Sequence, residues 1–259
     1  MTQDAALNRC ELDRVRSSLA LDGSAAAGLG VFQEDQIIQR TYGVGVPQAG
    51  AWEAPDSEIV LLATRELAVG EEFESATQPF RFRHWLFAAV GKLERGAQVR
   101  ERLWNELPEF LQAAVKGPTW EEAAFVRFLA ELRALGRMED RSIDGASVSA
   151  SLAATARALE QVSAGVGVTT RPHFALLATN GRLVSATRRG HALAYQLLEG
   201  APQCGRHQLT PDSKDDVLLR DHRRRRSVVL ATHPHGEGWV SLPDGATISV
   251  DRKLAVTIR

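Results

Sequence analysis

The chain is poor in cysteine, has almost no net charge and contains no long apolar run. Its 259 residues include only Cys10 and Cys204, too few for a disulfide framework and compatible with a reducing compartment. The formal net charge of −1 gives no general attraction to nucleic acid or to membrane surfaces. No apolar run approaches the length of a membrane span, and the polar start lacks a signal-peptide pattern. These absences predict a cytoplasmic protein that binds neither nucleic acid nor membranes.

The composition is that of a globular protein. Apolar residues make up 44% of the chain and charged residues 24%, which is ordinary for a soluble domain. A chain of this length can bury a sizeable core without disulfides or metals. Because the sequence has no internal repeat and no low-complexity linker, we expect a single domain over residues 1–259.

Strand-like and helix-like patterns occupy separate parts of the chain. Apolar strand patterns occur towards both ends, and the stretch between them has helical spacing. A hairpin is predicted across the polar turn Gln33-Glu34-Asp35, and a second where Asn180-Gly181 separates two strand-like runs. Thr119, with Glu122 three residues later, predicts a capping box at a helix start. This segregation favours an α+β fold in which two sheets stack face to face with helices outside.

One group of motifs is more specific than the rest. Pro79-Phe80 is followed by the apolar run Trp85-Leu86-Phe87, which ends at Gly91. Leu61-Leu62-Ala63-Thr64-Arg65 precedes this stretch and Thr179-Asn180-Gly181-Arg182 follows it. In order and spacing, these motifs resemble the class II glutamine amidotransferases, a branch of the N-terminal-nucleophile hydrolases, and especially their stand-alone members. The resemblance implies a four-layer αββα sandwich of two stacked, mainly antiparallel sheets.

The resemblance also implies positions for a substrate site. The family uses an N-terminal cysteine whose α-amine acts as a base, an oxyanion hole, and an arginine and an aspartate that hold glutamine. Arg65 stands at the position of the arginine that binds the glutamine carboxylate, and Trp120 at the position of the aspartate. Gly91 stands where a backbone N–H forms part of the oxyanion hole. An ion pair with Glu66, Glu71 or Glu72 is the alternative role for Arg65.

The polar residues of the family site are replaced in this chain. Ala89 and Val90 occupy the positions of the histidine and asparagine of the oxyanion turn, and Gln78 replaces the histidine before Pro79. Ala25-Ala26-Ala27 stands where Asp-Gly-Trp is usual. Loss of one oxyanion donor costs about 3–4 kcal/mol of transition-state stabilisation. The sequence therefore predicts a pseudoenzyme that binds a small carboxylate or glutamine-like ligand, or a protein partner.

Two residues are candidate nucleophiles. Thr2 becomes N-terminal if Met1 is removed, but the polar run from Thr2 to Ala6 predicts a frayed terminus rather than a buried first strand. Cys10 lies at a predicted helix start, where a thiolate is favoured, although burial on the helix face is the alternative. An active amidohydrolase or amidotransferase that uses Thr2 or a processed Cys10 is one alternative function, and a pure interaction protein is another.

The remaining histidines and arginines predict no second site. His233-Pro234-His235, even with His222 and His84, lacks a further ligand at metal-binding spacing, and a solvated loop is predicted. The run from Arg223 to Arg226 follows an acidic stretch and is predicted to be a solvated turn rather than a nucleic-acid site. We therefore expect no metal and no cofactor.

Overall fold

Strands from both ends of the chain pair in one sheet, and the central helices pack against one face of that sheet. The computed structural model describes residues 1–19, 26–43, 53, 55–65, 78–113, 117–213 and 217–259. Within these residues, no helix has the length and apolar character that crossing a membrane requires. The described strands are β1 Ala26–Gln33, β2 Gln36–Tyr42, β3 Val60–Arg65, β4 Phe80–Phe82, β5 Trp85–Lys92, β6 His173–Thr179, β7 Val184–Arg189, β8 Ala194–Glu199, β9 Arg226–Ala231, β10 Val240–Ser241, β11 Thr247–Val250 and β12 Val256–Ile258. The described α-helices are α1 Asn8–Val15, α2 Gly96–Asn105, α3 Glu109–Gln112, α4 Trp120–Ala134, α5 Gly145–Gly165 and α6 Val217–Arg224.

The larger sheet is antiparallel and has six strands, in the order β12-β11-β7-β6-β5-β4. Its central hairpin joins β6 to β7 through Asn180-Gly181, as predicted. The Asn180 side-chain oxygen accepts hydrogen bonds from the backbone N–H groups of Arg182 and Leu183, at 3.0 and 3.2 Å. The turn sequence therefore sets the register of the strands at the centre of the sheet.

The second sheet consists of two three-stranded parts, β2-β1-β3 and β10-β8-β9. The predicted hairpin across Gln33-Glu34-Asp35 is confirmed as the β1–β2 connection, since Gln33 pairs with Gln36. The N-terminal residues lie between the two parts. The Thr2 backbone N–H donates to the Glu58 carbonyl at 2.8 Å, and Thr2 forms an antiparallel bridge with Ser227. The start of the chain thus joins the two halves of this sheet.

Apolar side chains fill the spaces between the layers. One face of the six-stranded sheet packs Phe87 and Trp85 against Phe125 and Phe128 of α4, with ring centroids 5.2 and 5.3 Å apart for Phe87–Phe125 and Trp85–Phe128. The opposite face packs against the second sheet through residues that include Leu86 and Leu61. The α+β prediction of two stacked antiparallel sheets with helices outside is confirmed.

Local helix signals act as predicted, with one difference in detail. The Thr119 hydroxyl accepts a hydrogen bond from the Glu122 backbone N–H at the start of α4. The Glu122 carboxylate does not return this bond to Thr119. It accepts instead from the Gly117 backbone N–H, which anchors the loop before the helix. Half of the predicted capping box is therefore formed.

The prediction of a solvated turn at the arginine run is correct for the exposure of Arg223, Arg224 and Arg226 but wrong for the secondary structure and for Arg225. Arg223 and Arg224 form the last turn of α6, and Arg226 begins β9. Arg225 lies between these elements with only 4% of its surface exposed, and its guanidinium forms an ion pair with Glu11 of α1. An acidic partner from the opposite end of the sequence makes this burial possible, because a buried charge needs a counter-charge.

Candidate functional site

A cleft of about 260 Å³ opens between β3 and β9, beside the N-terminal residues that join the two halves of the second sheet. Among the described residues that line it there is no arginine, lysine or histidine side chain. Its carboxylates are Glu11 and Glu58, and each is paired with an arginine. The described lining residues are Met1, Thr2, Asn8, Glu11, Leu12, Val15, Leu19, residues 57–64, Ala88, Ala89, Val90, Ala175, Leu176, Leu177, Thr179, Val184, Leu193 and residues 227–232.

The N-terminus is buried, so the frayed terminus predicted from the polarity of Thr2 to Ala6 is wrong. The Met1 amine donates to the Val228 carbonyl at 2.8 Å, and the Met1 carbonyl accepts from the Val228 N–H at the same distance. Burial lowers the pKa of the Met1 amine to about 6, against the opposing effect of Glu11. These paired backbone groups place Thr2, which is 5% exposed, in the cleft wall. Pairing on both sides satisfies the backbone N–H and C=O groups that this burial removes from water.

The two residues that the sequence resemblance assigns to the oxyanion turn also reach the cleft. Ala89 and Val90 line it with alanine and valine side chains, which offer no hydrogen-bond donor. The backbone of Ala89 is occupied as well. The buried Gln78 amide donates to the Ala89 carbonyl at 2.8 Å and accepts from the Ala89 N–H at 2.7 Å. The Gln78 side chain therefore forms the two hydrogen bonds with Ala89 that the backbone of a neighbouring strand would otherwise form.

Gln78→Ala is expected to lower the free energy of unfolding by about 2–4 kcal/mol, because it leaves two buried backbone groups of Ala89 without partners. Chemical denaturation measures the change. The matched control is Gln161→Ala, which removes the same side chain from an exposed position on α5 and should change stability by less than about 0.5 kcal/mol. Equal losses in the two variants would contradict the bridging role of Gln78.

Three residues assigned by resemblance are not among the described residues that line the cleft. Arg65 ends β3 opposite Ala26, and its predicted glutamate partners lie outside the described residues. Gly91 lies opposite Phe174 in β5, one residue beyond the cleft wall. Trp120 is buried at the start of α4, with its ring centroid 6.1 Å from that of Phe174 on the helix side of the sheet. The described cleft thus brings Thr2 together with Ala89 and Val90.

Cys10 is buried on α1, in the alternative role that the helix pattern predicts, and it is not among the described cleft residues. Burial and a hydrogen bond with Cys204 raise the pKa of the Cys10 thiol to about 11. The thiol therefore stays protonated near neutral pH, which opposes a nucleophilic role. Its neighbour Glu11 reaches the cleft and accepts a hydrogen bond from the Ser227 hydroxyl at 2.6 Å. Sequence reasoning missed Glu11, since its partners are distant in the chain.

No family model and no curated protein matches the chain. A glutamine aminotransferase class-II domain protein from Silicibacter pomeroyi is 15% identical, with a TM-score of 0.59 over 90% of both chains. A predicted glutamine amidotransferase from Pseudomonas aeruginosa is 19% identical, with a TM-score of 0.58 over 87% of this chain and 84% of the other.

A larger enzyme has the same fold over part of its length. Glutamine phosphoribosylpyrophosphate amidotransferase from B. subtilis is 11% identical, with a TM-score of 0.54 over 98% of this chain and 46% of the enzyme. The structural similarity establishes the fold, whereas sequence identities this low leave the activity open. The chain therefore shares the fold of these solved glutamine amidotransferase structures.

Proposed function

We propose that this glutamine amidotransferase-like protein has no glutaminase activity and binds a small, mainly apolar ligand in the cleft between β3 and β9. One observation carries the proposal: Ala89 and Val90 line the cleft, and the sequence resemblance assigns these two residues to the oxyanion turn. A site that stabilises an oxyanion needs donors aimed at the developing charge. Methyl groups at these positions can contact a ligand but cannot polarise a carbonyl.

The lining supports an apolar ligand over glutamine. Leu62, Leu177 and Val229 are among the side chains that the two sheets contribute to the wall. Glutamine would bury a carboxylate, and a buried carboxylate needs a cation or several donors. No basic side chain is found among the described lining residues. The volume of about 260 Å³ lies just below the ~300–1,000 Å³ of typical small-molecule sites.

Thermal-shift measurements with indole, hexanol, L-glutamine and acetate test the proposal. A ligand that binds only the folded state raises Tm, so indole or hexanol should raise it and glutamine should not. Ala88→Leu adds bulk to the described cleft wall and should abolish the shift while the protein remains folded. The matched control is Ala134→Leu at an exposed end of α4, which should retain the shift. Stabilisation by glutamine alone, or an apolar shift that survives Ala88→Leu, would contradict the assignment.

The position of Thr2 supports one alternative, an active amidohydrolase. Thr2 lies in the cleft wall between Glu58 and Ser227, where a nucleophile would meet a bound amide. An N-terminal threonine uses its own free α-amine as the base, so this reaction requires removal of Met1. Ammonia release, compared between the unchanged chain and Thr2→Ala, separates the two functions.

A further inference from the structure

Four potential metal ligands meet outside the cleft, where α1, α6 and the turn after β8 pack together. They are Cys10, Cys204, His207 and His222, and their ligand atoms all lie within 4.8 Å of one another. Cys10, Cys204 and His222 are buried, and His207 is half-buried. Three separate segments of the chain supply these side chains. This cluster is independent of the cleft and of the function proposed for it.

The three distances from His207 Nδ1 to the other ligand atoms are close to the edge lengths of a tetrahedral metal site. His207 Nδ1 lies 3.2 Å from His222 Nε2, 3.5 Å from Cys10 Sγ and 3.7 Å from Cys204 Sγ. Zinc bonds of about 2.3 Å to sulfur and about 2.05 Å to nitrogen give tetrahedral edges of about 3.3 Å for N···N and about 3.6 Å for S···N. His207 Nδ1 therefore lies at zinc-site separations from the other three ligand atoms, and all four atoms lie within 4.8 Å of one another.

Hydrogen bonding among the four side chains does not account for this convergence. A neutral imidazole nitrogen carries either one proton or one lone pair, so His207 Nδ1 can satisfy only one of its three close neighbours. The two cysteines are free thiols, so a disulfide does not explain their proximity either. A cation placed between the four atoms satisfies all of them at once.

The surrounding backbone orients two of the ligands. His222 Nδ1 lies 2.9 Å from the Leu218 carbonyl, one turn earlier in α6. Because a carbonyl only accepts, Nδ1 carries the proton and Nε2 presents its lone pair to the cluster. Cys204 exchanges two backbone hydrogen bonds with Leu209, at 2.9 and 3.0 Å, and the enclosed turn holds His207. This arrangement supplies the outer-shell contact that a metal-bound histidine usually has.

We propose that Cys10, Cys204, His207 and His222 bind one Zn²⁺ in a structural site. Four protein ligands complete the tetrahedral shell and leave no open position for substrate, which is the pattern of structural rather than catalytic zinc. Two thiolates and two neutral imidazoles neutralise the ion, as a buried setting requires. The site ties α1, which carries Asn8 and Glu11 of the cleft wall, to α6 and the turn between Cys204 and Leu209.

Metal analysis of the full-length chain, purified under reducing conditions, tests the proposal. The protein should hold about one zinc per chain, and its chelated form should take zinc back stoichiometrically. His207→Asn and Cys204→Ser should each weaken zinc binding by more than the 10–100-fold typical of losing an outer-shell partner. The matched control is His233→Asn, a histidine outside the cluster, which should keep full zinc content.

Two further measurements use the unchanged chain and so do not require that the His207→Asn and Cys204→Ser variants fold. Co²⁺ added to the metal-free chain should produce the intense visible absorption of a tetrahedral thiolate site. Chelation should lower Tm by on the order of 10 °C, and zinc should restore it. Failure of the reduced, metal-free chain to take up Zn²⁺ or Co²⁺, or full zinc retention by both ligand variants, would overturn the proposal.

Discussion

Glu11→Ala should lower the free energy of unfolding by about 3–5 kcal/mol, the cost of breaking a buried ion pair from one side. Glu11 forms an ion pair with Arg225 and accepts a hydrogen bond from Ser227. Both carboxylate and guanidinium are almost fully buried. Without Glu11, the Arg225 charge would remain in the interior with Arg14 close by, since Arg14 also reaches Glu11 at 3.2 Å. Urea denaturation of the two proteins measures the change.

A surface ion pair provides the matched control for Glu11. Arg83 and Glu139 pair with half or more of each side chain exposed, and such pairs contribute about 0–1 kcal/mol. Glu139→Ala should therefore leave the denaturation midpoint nearly unchanged. Similar small losses in both variants would mean that the Glu11–Arg225 pair does not hold α1 against the start of β9.

Gly91→Ala should lower the free energy of unfolding by about 3 kcal/mol or more. Gly91 has a φ of +128°, and an added Cβ would lie 2.0 Å from the His173 carbonyl oxygen and 2.7 Å from Phe174 Cα. Both neighbours are backbone atoms of the paired strand β6, so relief of the clash would have to separate β5 from β6. The expected fall in Tm is about 6–12 °C, measured by differential scanning calorimetry.

The control variant Gly136→Ala distinguishes the effect of backbone strain from that of steric conflict. It also has a positive φ, +68°, but an added Cβ would meet nothing within 4 Å. Gly136→Ala should therefore cost only about 1 kcal/mol, from the left-handed conformation alone. If the two glycine variants lose equal stability, close packing of β5 on β6 does not explain why position 91 requires glycine. The large expected difference gives Gly91 a structural role that is independent of any oxyanion.

Short-range signals predicted the parts of the fold that they control. Asn180-Gly181 closes its hairpin through hydrogen bonds within three residues, and Thr119 caps α4 through Glu122. Such contacts depend on neighbouring residues alone, so the sequence contains the whole signal. The apolar run from Trp85 to Phe87 likewise becomes a buried strand, because its length and composition suit no exposed element.

Contacts between distant parts of the chain explain what the sequence did not predict. The Met1 amine pairs with Val228, 227 residues away, so the polarity of the first residues gave no sign of burial. In the sequence, Arg225 belongs to a run of charged residues that predicts exposure. Its burial depends on the ion pair with Glu11, which the sequence does not indicate. The proposed zinc site combines Cys204, His207 and His222, which lie within 19 residues of the sequence, with Cys10, which lies 197 residues before His207. Such a spacing matches no familiar zinc motif.

Ammonia release from L-glutamine by the purified full-length chain is the most direct test of the central proposal, that this chain has no glutaminase activity. With Ala89 and Val90 in place of the oxyanion turn, release should not exceed the rate of a buffer blank, and Thr2→Ala should leave it unchanged. Steady release above the blank that Thr2→Ala abolishes would contradict the account and establish Thr2 as a working nucleophile.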